Sequence, residues 1–282
     1  IYISFNYLLD INKEQISEFA LLTSILSKSS KKFKNQLEIE KHLLKLYGSS
    51  FDVNVQKLGD IYNIEFSMEL VNKKFLPNNK DIFKDCLEFL NEIVYHPVFE
   101  NSDMDGKIFD IEKNNLLNII RSRYDDKIHY AILNMEHMMS RNSLFGSYIY
   151  GDEEILSNIK VEHIPKIYSE FLAKSKLKIL ISGNLDGYDK IDEEIENVFG
   201  KNIENLKEKI EVNKCNIDDK YEEKIDKKDV NQSVIVYGLK IKDSRIEDYY
   251  KIMLYNSILG AIPSSKLFQK VREKNSLAYT VR

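Results

Sequence analysis

The sequence predicts an α+β fold in which helices pack on a mainly antiparallel sheet. This fold is built twice, with the second copy cut short. Segments of period-two alternation mark strands, and segments with apolar residues three and four apart mark helices, in a mixed order. The order found in residues 1–55 returns in residues 231–282, which indicates a diverged internal repeat of about 230 residues. A run dominated by charged residues separates the two stretches.

Each predicted element of the first copy depends on a local pattern. Ile1, Ile3 and Phe5 alternate with Tyr2 and Ser4, which is the period of a half-buried strand. Apolar residues at helical spacing predict helices, and glycine or proline marks several of their ends. In chain order we predict a strand from residue 1, helices at 18–26 and 37–46, strands at 51–55 and 64–70, helices at 80–95, 107–124, 128–141, 152–158 and 162–173, a strand at 177–182 and a helix at 186–199.

Composition divides the chain into three parts. Residues 201–230 contain eight Lys and nine Asp plus Glu, so 17 of 30 positions are charged and a solvated linker is predicted. Residues 1–200 are predicted to form the first α+β domain, and residues 231–282 to begin a second, homologous one. A segment of about 50 residues with half a sheet buries too little surface to fold alone, so we expect the natural polypeptide to continue past residue 282. The elements predicted for this second copy are a strand at 233–241, helices at 248–259 and 266–274, and a strand over 277–281.

Charge, hydropathy and cysteine usage exclude several classes of protein. The chain has 41 Lys plus Arg and 45 Asp plus Glu, a net charge of −4, which argues against a nucleic-acid binder. No apolar run approaches the roughly 18 residues of a membrane span. The two cysteines, Cys86 and Cys215, form no CxxC pair and favour a reducing compartment, so we expect a cytoplasmic protein.

The most specific pattern lies in the second copy. Residues 265–279 read Ser-Lys-Leu-Phe-Gln-Lys-Val-Arg-Glu-Lys-Asn-Ser-Leu-Ala-Tyr and contain an Arg-x6-Tyr motif, Arg272 and Tyr279. This segment strongly resembles the second domain of the insulinase/pitrilysin-like peptidases, the inverzincins, whose active members bind zinc through H-x-x-E-H. Residues 125–131, 151–156 and 179–183 resemble the family's first domain, so the resemblance covers most of the chain.

The resemblance implies a duplicated α+β fold and a zinc motif on the first helix, and the sequence departs from the family at that motif. The matching segment places Ala20 and Ser24 at the two histidine positions and Thr23 at the position of the catalytic glutamate. The third ligand, a glutamate on a later helix, corresponds to Ile119 or Ile120. Alanine and isoleucine lack the imidazole, carboxylate or thiolate donors that zinc needs. We therefore expect no metal in this chain and no base to activate a metal-bound water.

The Arg-x6-Tyr pair carries a different implication. In the family this pair reaches across the chamber to the zinc centre, where a guanidinium and a phenol can bind substrate carbonyls and a developing oxyanion. The corresponding positions of the first copy, Leu44 and Phe51, are apolar. Spacing alone favours a simpler interpretation, an arginine at a helix C-terminus followed by a strand tyrosine. The residues that surround Arg272 and Tyr279 favour the family role in substrate binding.

The resemblance implies a non-catalytic, substrate-binding subunit of a two-component zinc peptidase. The family that the chain resembles includes heterodimers similar to the mitochondrial processing peptidases and to paired bacterial proteins. In these heterodimers one chain keeps H-x-x-E-H and the other keeps the Arg/Tyr motif. The implied partners are such an H-x-x-E-H subunit, which would hold the zinc, and a peptide substrate. The sequence leaves open whether this chain is an enzyme, and we expect it to be inactive alone.

Two alternatives remain. The chain could be a peptide-binding or scaffolding protein of the same fold with no hydrolytic role, holding extended peptides by strand addition. A neighbouring gene for a related H-x-x-E-H chain would distinguish this alternative from the two-component peptidase. A zinc motif beyond residue 282 is the weakest alternative, because the family motif belongs to the first domain.

Overall fold

The computed structural model describes residues 1–99, 106–141, 143–204, 221–227, 230–241 and 245–281. Within them the strands are β1 (Tyr2–Leu9), β2 (Ser50–Leu58), β3 (Ile61–Glu69) and β4 (Lys176–Ser182). The helices are α1 (Lys13–Leu26), α2 (Gln36–Lys45), α3 (Phe83–Tyr95), α4 (Gly106–Ser122), α5 (Lys127–Met139), α6 (Glu153–Asn158), α7 (Ile164–Lys174), α8 (Ile191–Phe199), α9 (Lys201–Glu204) and α10 (Tyr249–Asn256). This mixture confirms the predicted α+β class.

The four strands form one sheet in the order β2-β3-β1-β4, and every neighbouring pair is antiparallel. β1 is central, with Phe5 opposite Phe66 of β3 and opposite Ile179 of β4. β2 and β3 form the predicted hairpin, and Gly59 in its turn has a φ of +64°. Glycine adopts this left-handed backbone without the Cβ penalty of other residues. The predicted antiparallel sheet is therefore confirmed.

Helices cover one face of the sheet and bury its apolar side chains. Phe5 of β1 stacks on Phe199 of α8 with ring centroids 4.7 Å apart, and Tyr7 meets Phe171 of α7 at 5.1 Å. The opposite face carries polar side chains of β1 and β3 that hydrogen-bond to one another. Helices α4 and α6 pack on α1 as an outer layer. This arrangement confirms the prediction that helices pack on the sheet.

Two helices begin five residues from their predicted starts. α1 begins at Lys13 rather than at residue 18, because Asn12 and Gln15 form a capping box that stabilises the earlier start. The Asn12 side chain accepts from the Gln15 backbone N–H at 3.0 Å, and the Gln15 side chain accepts from the Asn12 N–H at 3.4 Å. α8 begins at Ile191 rather than at 186, because Gly187 has a φ of +81°, which interrupts helical geometry.

The predicted strands at 233–241 and 277–281 are absent from the structure, so these two predictions are wrong. A strand needs hydrogen bonds to a neighbour, and no described segment pairs with either stretch. Alternation of apolar and polar residues shows that a segment can form a strand, but it does not show that a neighbouring strand is available to pair with it. Of the predicted linker, residues 201–204 form α9, whereas 205–220 and 228–229 lie outside the described residues.

The chain divides into two compact units, Ile1–Gly238 and Leu239–Arg282. The first contains the sheet and helices α1 to α9. The second contains α10, which continues into a wide π-helical turn at Ser257–Ala261, and a separate π-helical segment at Phe268–Lys274. The duplication and the domain boundaries at 200 and 231 stay predictions. No helix within the described part of the chain is long and apolar enough to cross a membrane.

Candidate functional site

The positions that correspond to the H-x-x-E-H motif share one face of α1. Ala20 is 2% exposed and Thr23 is 5% exposed, whereas Ser24 is half-buried. The Thr23 hydroxyl donates to the Phe19 carbonyl at 2.7 Å, and the Ser24 hydroxyl donates to the Ala20 carbonyl at 3.1 Å. Both hydroxyls are thus bonded to the preceding turn of their own helix. This face of α1 presents no imidazole or carboxylate to a metal.

The later helix that would carry the third ligand is α4, which packs against α1. Ile120 is 1% exposed and belongs to the same hydrophobic core as Ala20, while Ile119 is 42% exposed. Neither isoleucine has a donor atom, so the residues at these positions do not fit a zinc ion. Among the described residues, no three His, Cys, Asp or Glu side chains lie close enough together to hold a metal ion.

One residue near these positions was missed by the sequence reasoning. Glu112 of α4 is only 8% exposed, and its carboxylate accepts a long hydrogen bond of 3.4 Å from the Asn115 amide. Burial raises the pKa of Glu112, although the positive charge of Lys28 and the Asn115 hydrogen bond oppose this effect. The signal was available, because Glu112 interrupts the apolar face of α4 between Phe109 and Leu116.

The second unit brings Arg272 and Tyr279 together. The Arg272 guanidinium carbon lies 5.3 Å from the centre of the Tyr279 ring and 4.8 Å from that of Phe268. Its Nε is 3.8 Å from the carboxylate of Glu273. Stacking a guanidinium between two aromatic faces restricts its orientation while leaving its edge available for hydrogen bonds.

A sharp turn after the π-helical segment produces this contact. Ser276 has a φ of +49°, and its N–H donates to the Arg272 carbonyl at 3.0 Å. The Leu277 N–H donates to the Val271 carbonyl at 2.9 Å, so the chain folds back over the helix end. Tyr279 is 79% exposed. A planar cluster of guanidinium donors and one phenol therefore lie side by side at an exposed surface, which suits the binding of peptide carbonyl oxygens.

The motif positions thus form two sets in different compact units. Ala20, Thr23 and Ser24 lie on α1 beside α4 and offer no imidazole, carboxylate or thiolate to a metal. Arg272 and Tyr279 lie in the second unit. The roles of all these residues stay predictions.

Comparisons with known proteins find similarity to one family. A family model described as the peptidase M16 inactive domain matches residues 158–282. A probable inactive metalloprotease, YmfF of Bacillus subtilis, is 28% identical over 276 residues, which are 98% of this chain and 64% of YmfF. An uncharacterized zinc protease of the same strain, YmxG, is 25% identical over 200 residues, which are 70% of this chain and 46% of YmxG. The chain therefore spans less than two thirds of either relative.

A solved structure supports the fold. A conserved protein from Enterococcus faecalis V583 aligns with 99% of this chain and 65% of its own, at a TM-score of 0.73 and 22% identity. Both the fold and the matched inactive domain agree with the resemblance carried by residues 265–279. The chain is therefore similar to inactive members of the insulinase-like M16 peptidase family, and residues 1–282 contain no H-x-x-E-H motif.

Proposed function

We propose that the chain is a non-catalytic, substrate-binding subunit of a two-component zinc peptidase. In this proposal an H-x-x-E-H partner holds the zinc, and Arg272 and Tyr279 of this chain complete the partner's chamber by binding the peptide substrate. The observation that carries the proposal is the contrast between the two motif sets. The zinc positions are filled by Ala20 and other residues without suitable donors, whereas the substrate-binding pair is intact.

The geometry of the pair supports this role. A substrate-binding arginine needs a fixed orientation, and the Arg272 guanidinium is held between the rings of Phe268 and Tyr279. If Arg272 were only an arginine at a helix C-terminus, its charge would interact favourably with the helix dipole. That interpretation does not explain why Tyr279 folds back onto Arg272. A pre-positioned donor cluster loses less entropy when it binds a peptide.

The names of two relatives also support a pair of chains. YmfF, named as probably inactive, and YmxG, named as a zinc protease, both come from Bacillus subtilis strain 168. One organism thus has one relative named as inactive and one named as a zinc protease, which matches the proposed pairing of a substrate-binding chain with a zinc-binding chain. An H-x-x-E-H chain encoded with this protein is the partner we expect.

The alternative is a peptide-binding protein with no hydrolytic partner. It is favoured by the two end strands of the sheet, β2 and β4, which each pair on one side only among the described residues. An exposed strand edge can add an extended peptide. Under this alternative, a related H-x-x-E-H chain would gain no activity when mixed with this protein.

The proposal is tested by substitution at Arg272 in the full-length protein, assembled with its H-x-x-E-H partner. Arg272→Ala removes a charge-assisted donor but leaves the partner's zinc in place. Loss of one transition-state donor lowers turnover by about 10²–10³-fold, and we expect a decrease of this order in kcat for peptide cleavage. Tyr279→Phe should lower turnover less, because it deletes one neutral hydrogen bond and keeps the ring.

Arg245→Ala is the matched control, since it removes the same charge from an exposed position in the same unit. This variant should cleave at the wild-type rate. All three variants should still co-elute with the partner in size-exclusion chromatography. Equal turnover by the wild-type and Arg272→Ala complexes would contradict the assigned role.

A further inference from the structure

A segment without helix or strand runs along α5. Its described residues are 221–227 and 230–238, and we call them the strap. Polar contacts join the strap to α5 near the start of the helix, at its middle and just past its end. These contacts are Tyr130 Oη to Asp226 at 3.1 Å, Lys224 Nζ to Asn134 Oδ1 at 2.9 Å, and the ion pair between Arg141 and Glu222.

Two methionines of α5 pack against the last residue of the strap. The Sδ atoms of Met135 and Met139 fill the space that a Cβ would occupy at Gly238. The two methionines are four residues apart, so they share one face of the helix. Both side chains are half-buried, which leaves them within reach of a small solute. The close approach of the strap to α5 therefore depends on two thioethers.

The position of α5 makes this contact important for the helix. None of its residues is buried, so α5 contributes nothing to the hydrophobic core. Apart from the strap, it packs on the turn at Leu144–Gly146 and is joined to β2 by an ion pair of 3.8 Å between Glu136 and Lys57. A helix with so few buried apolar contacts opens easily when one of its neighbours leaves.

We propose that the strap is a redox-sensitive device, which is released from α5 when Met135 and Met139 are oxidised. Hydrogen peroxide transfers one oxygen atom to each thioether sulfur. The O–O bond breaks, the sulfur loses two electrons, and the products are the sulfoxide and water. A sulfoxide is polar and larger than the thioether, so it disrupts the apolar contact with Gly238.

Release has a consequence for the second unit. The strap ends at Gly238, the last residue of the first unit, and the second unit begins at the next residue. Freeing the strap therefore lengthens the stretch of chain that connects the two units. The device uses neither the zinc positions nor Arg272, so it is independent of the proposed role in a peptidase complex.

Oxidation of the full-length protein by hydrogen peroxide tests the proposal. Mass spectrometry locates the sulfoxides, and hydrogen exchange measures the opening of α5. We expect sulfoxides at Met135 and Met139 and exchange of the α5 amides that is faster by at least about tenfold. Met68, which is 1% exposed in β3, should stay a thioether if the protein remains folded. Met135→Leu/Met139→Leu nearly preserves the packed volume and should keep slow exchange in peroxide.

Variants of the strap separate its release from direct damage to α5. Without peroxide, Glu222→Ala/Asp226→Ala removes two of the polar contacts and should also speed exchange of the α5 amides. Glu223→Ala is the matched control, because the Glu223 carboxylate accepts a hydrogen bond from Tyr221 of the strap itself. It should leave α5 unchanged.

Three results would overturn the proposal. One is unchanged exchange of α5 when Met135 and Met139 are oxidised. Another is the same increase in peroxide for the wild type and for Met135→Leu/Met139→Leu. The third is equal exchange of α5 in Glu222→Ala/Asp226→Ala and in Glu223→Ala, since α5 would then not depend on the strap.

Discussion

Ala20 of α1 occupies a tightly packed position. The side chain is 2% exposed and belongs to the hydrophobic core. The position has therefore become part of the core of the first unit. A histidine introduced there would have to displace packed neighbours before it could reach a metal.

This leads to a prediction for a variant that restores the motif on α1. We expect Ala20→His/Thr23→Glu/Ser24→His to be destabilised by at least about 1–3 kcal/mol, the usual cost of overpacking a core, and to bind no stoichiometric zinc. Urea unfolding and metal analysis after dialysis measure the two effects. Ser24→His alone is the control, and it should cost little because Ser24 is half-buried. One tightly bound zinc per chain in the triple variant or in the wild type would contradict the prediction.

The protonation of His42 makes the free energy of unfolding depend on pH. Its ring lies 4.8 Å from Phe33 and 5.6 Å from Phe89, centre to centre. Burial and the nearby charges of Lys32 and Lys45 lower the pKa of His42. Folding therefore favours the neutral imidazole. This contribution is complete above the unfolded pKa of about 6.5 and is lost as the pH falls from there through the folded-state pKa.

The measurement is urea unfolding of the wild type and of His42→Gln at pH 8 and pH 5. The wild type should lose more stability than the variant between these two values, because only the wild type must protonate a partly buried ring. Identical losses in the two proteins would show that His42 does not contribute.

At the scale of single residues, the sequence predicted the motif positions but not Glu112 or the contact between Arg272 and Tyr279. The motif positions could be aligned because the residues around Arg272 and Tyr279 form a long, specific segment. Glu112 was missed because no motif contains it, although an acidic residue in an apolar helix face is visible in the sequence. The contact between Arg272 and Tyr279 depends on the positive φ of Ser276, which no local pattern indicates.

At the scale of elements, the junction between α1 and α6 depends on one glycine. Gly151 precedes α6 with a φ of +81°, and a Cβ there would lie 2.1 Å from the Ser17 hydroxyl oxygen. That oxygen accepts a hydrogen bond of 2.9 Å from the Asp152 N–H. The close approach of the two helices therefore requires the absence of a side chain at residue 151.

We expect Gly151→Ala to lower the free energy of unfolding by about 2–5 kcal/mol. This range combines about 1–2 kcal/mol for a left-handed backbone with about 1–3 kcal/mol for overpacking. Gly59→Ala is the control, because Gly59 has a φ of +64° but nothing within 4 Å of its Cβ position. It should show the backbone cost alone in urea unfolding. Equal losses for the two variants would contradict the steric argument.

Most helices and strands of the first unit could be predicted, because amphipathic periodicity reflects burial against one sheet. The start of α1 was missed because capping by Asn12, and not apolar spacing, determines it. The predictions of strands at 233–241 and 277–281 were wrong for another reason. Their alternation indicates only a preference for a sheet, and the partner strands that would realise it are not among the described segments.

At the scale of the whole molecule, the family and the fold agree with the resemblance carried by residues 265–279. The chain divides into two compact units between Gly238 and Leu239. The first unit holds the degenerate zinc positions and the second holds the Arg/Tyr pair.

The most direct measurement is the turnover of a mixed peptide library by the full-length protein, by its H-x-x-E-H partner and by their equimolar mixture. We predict that neither chain alone cleaves the library at an appreciable rate, and that the mixture does. Zinc in the active mixture should amount to one ion per pair, because only the partner has ligands for it. A partner that is as active alone as in the mixture would contradict the two-component peptidase.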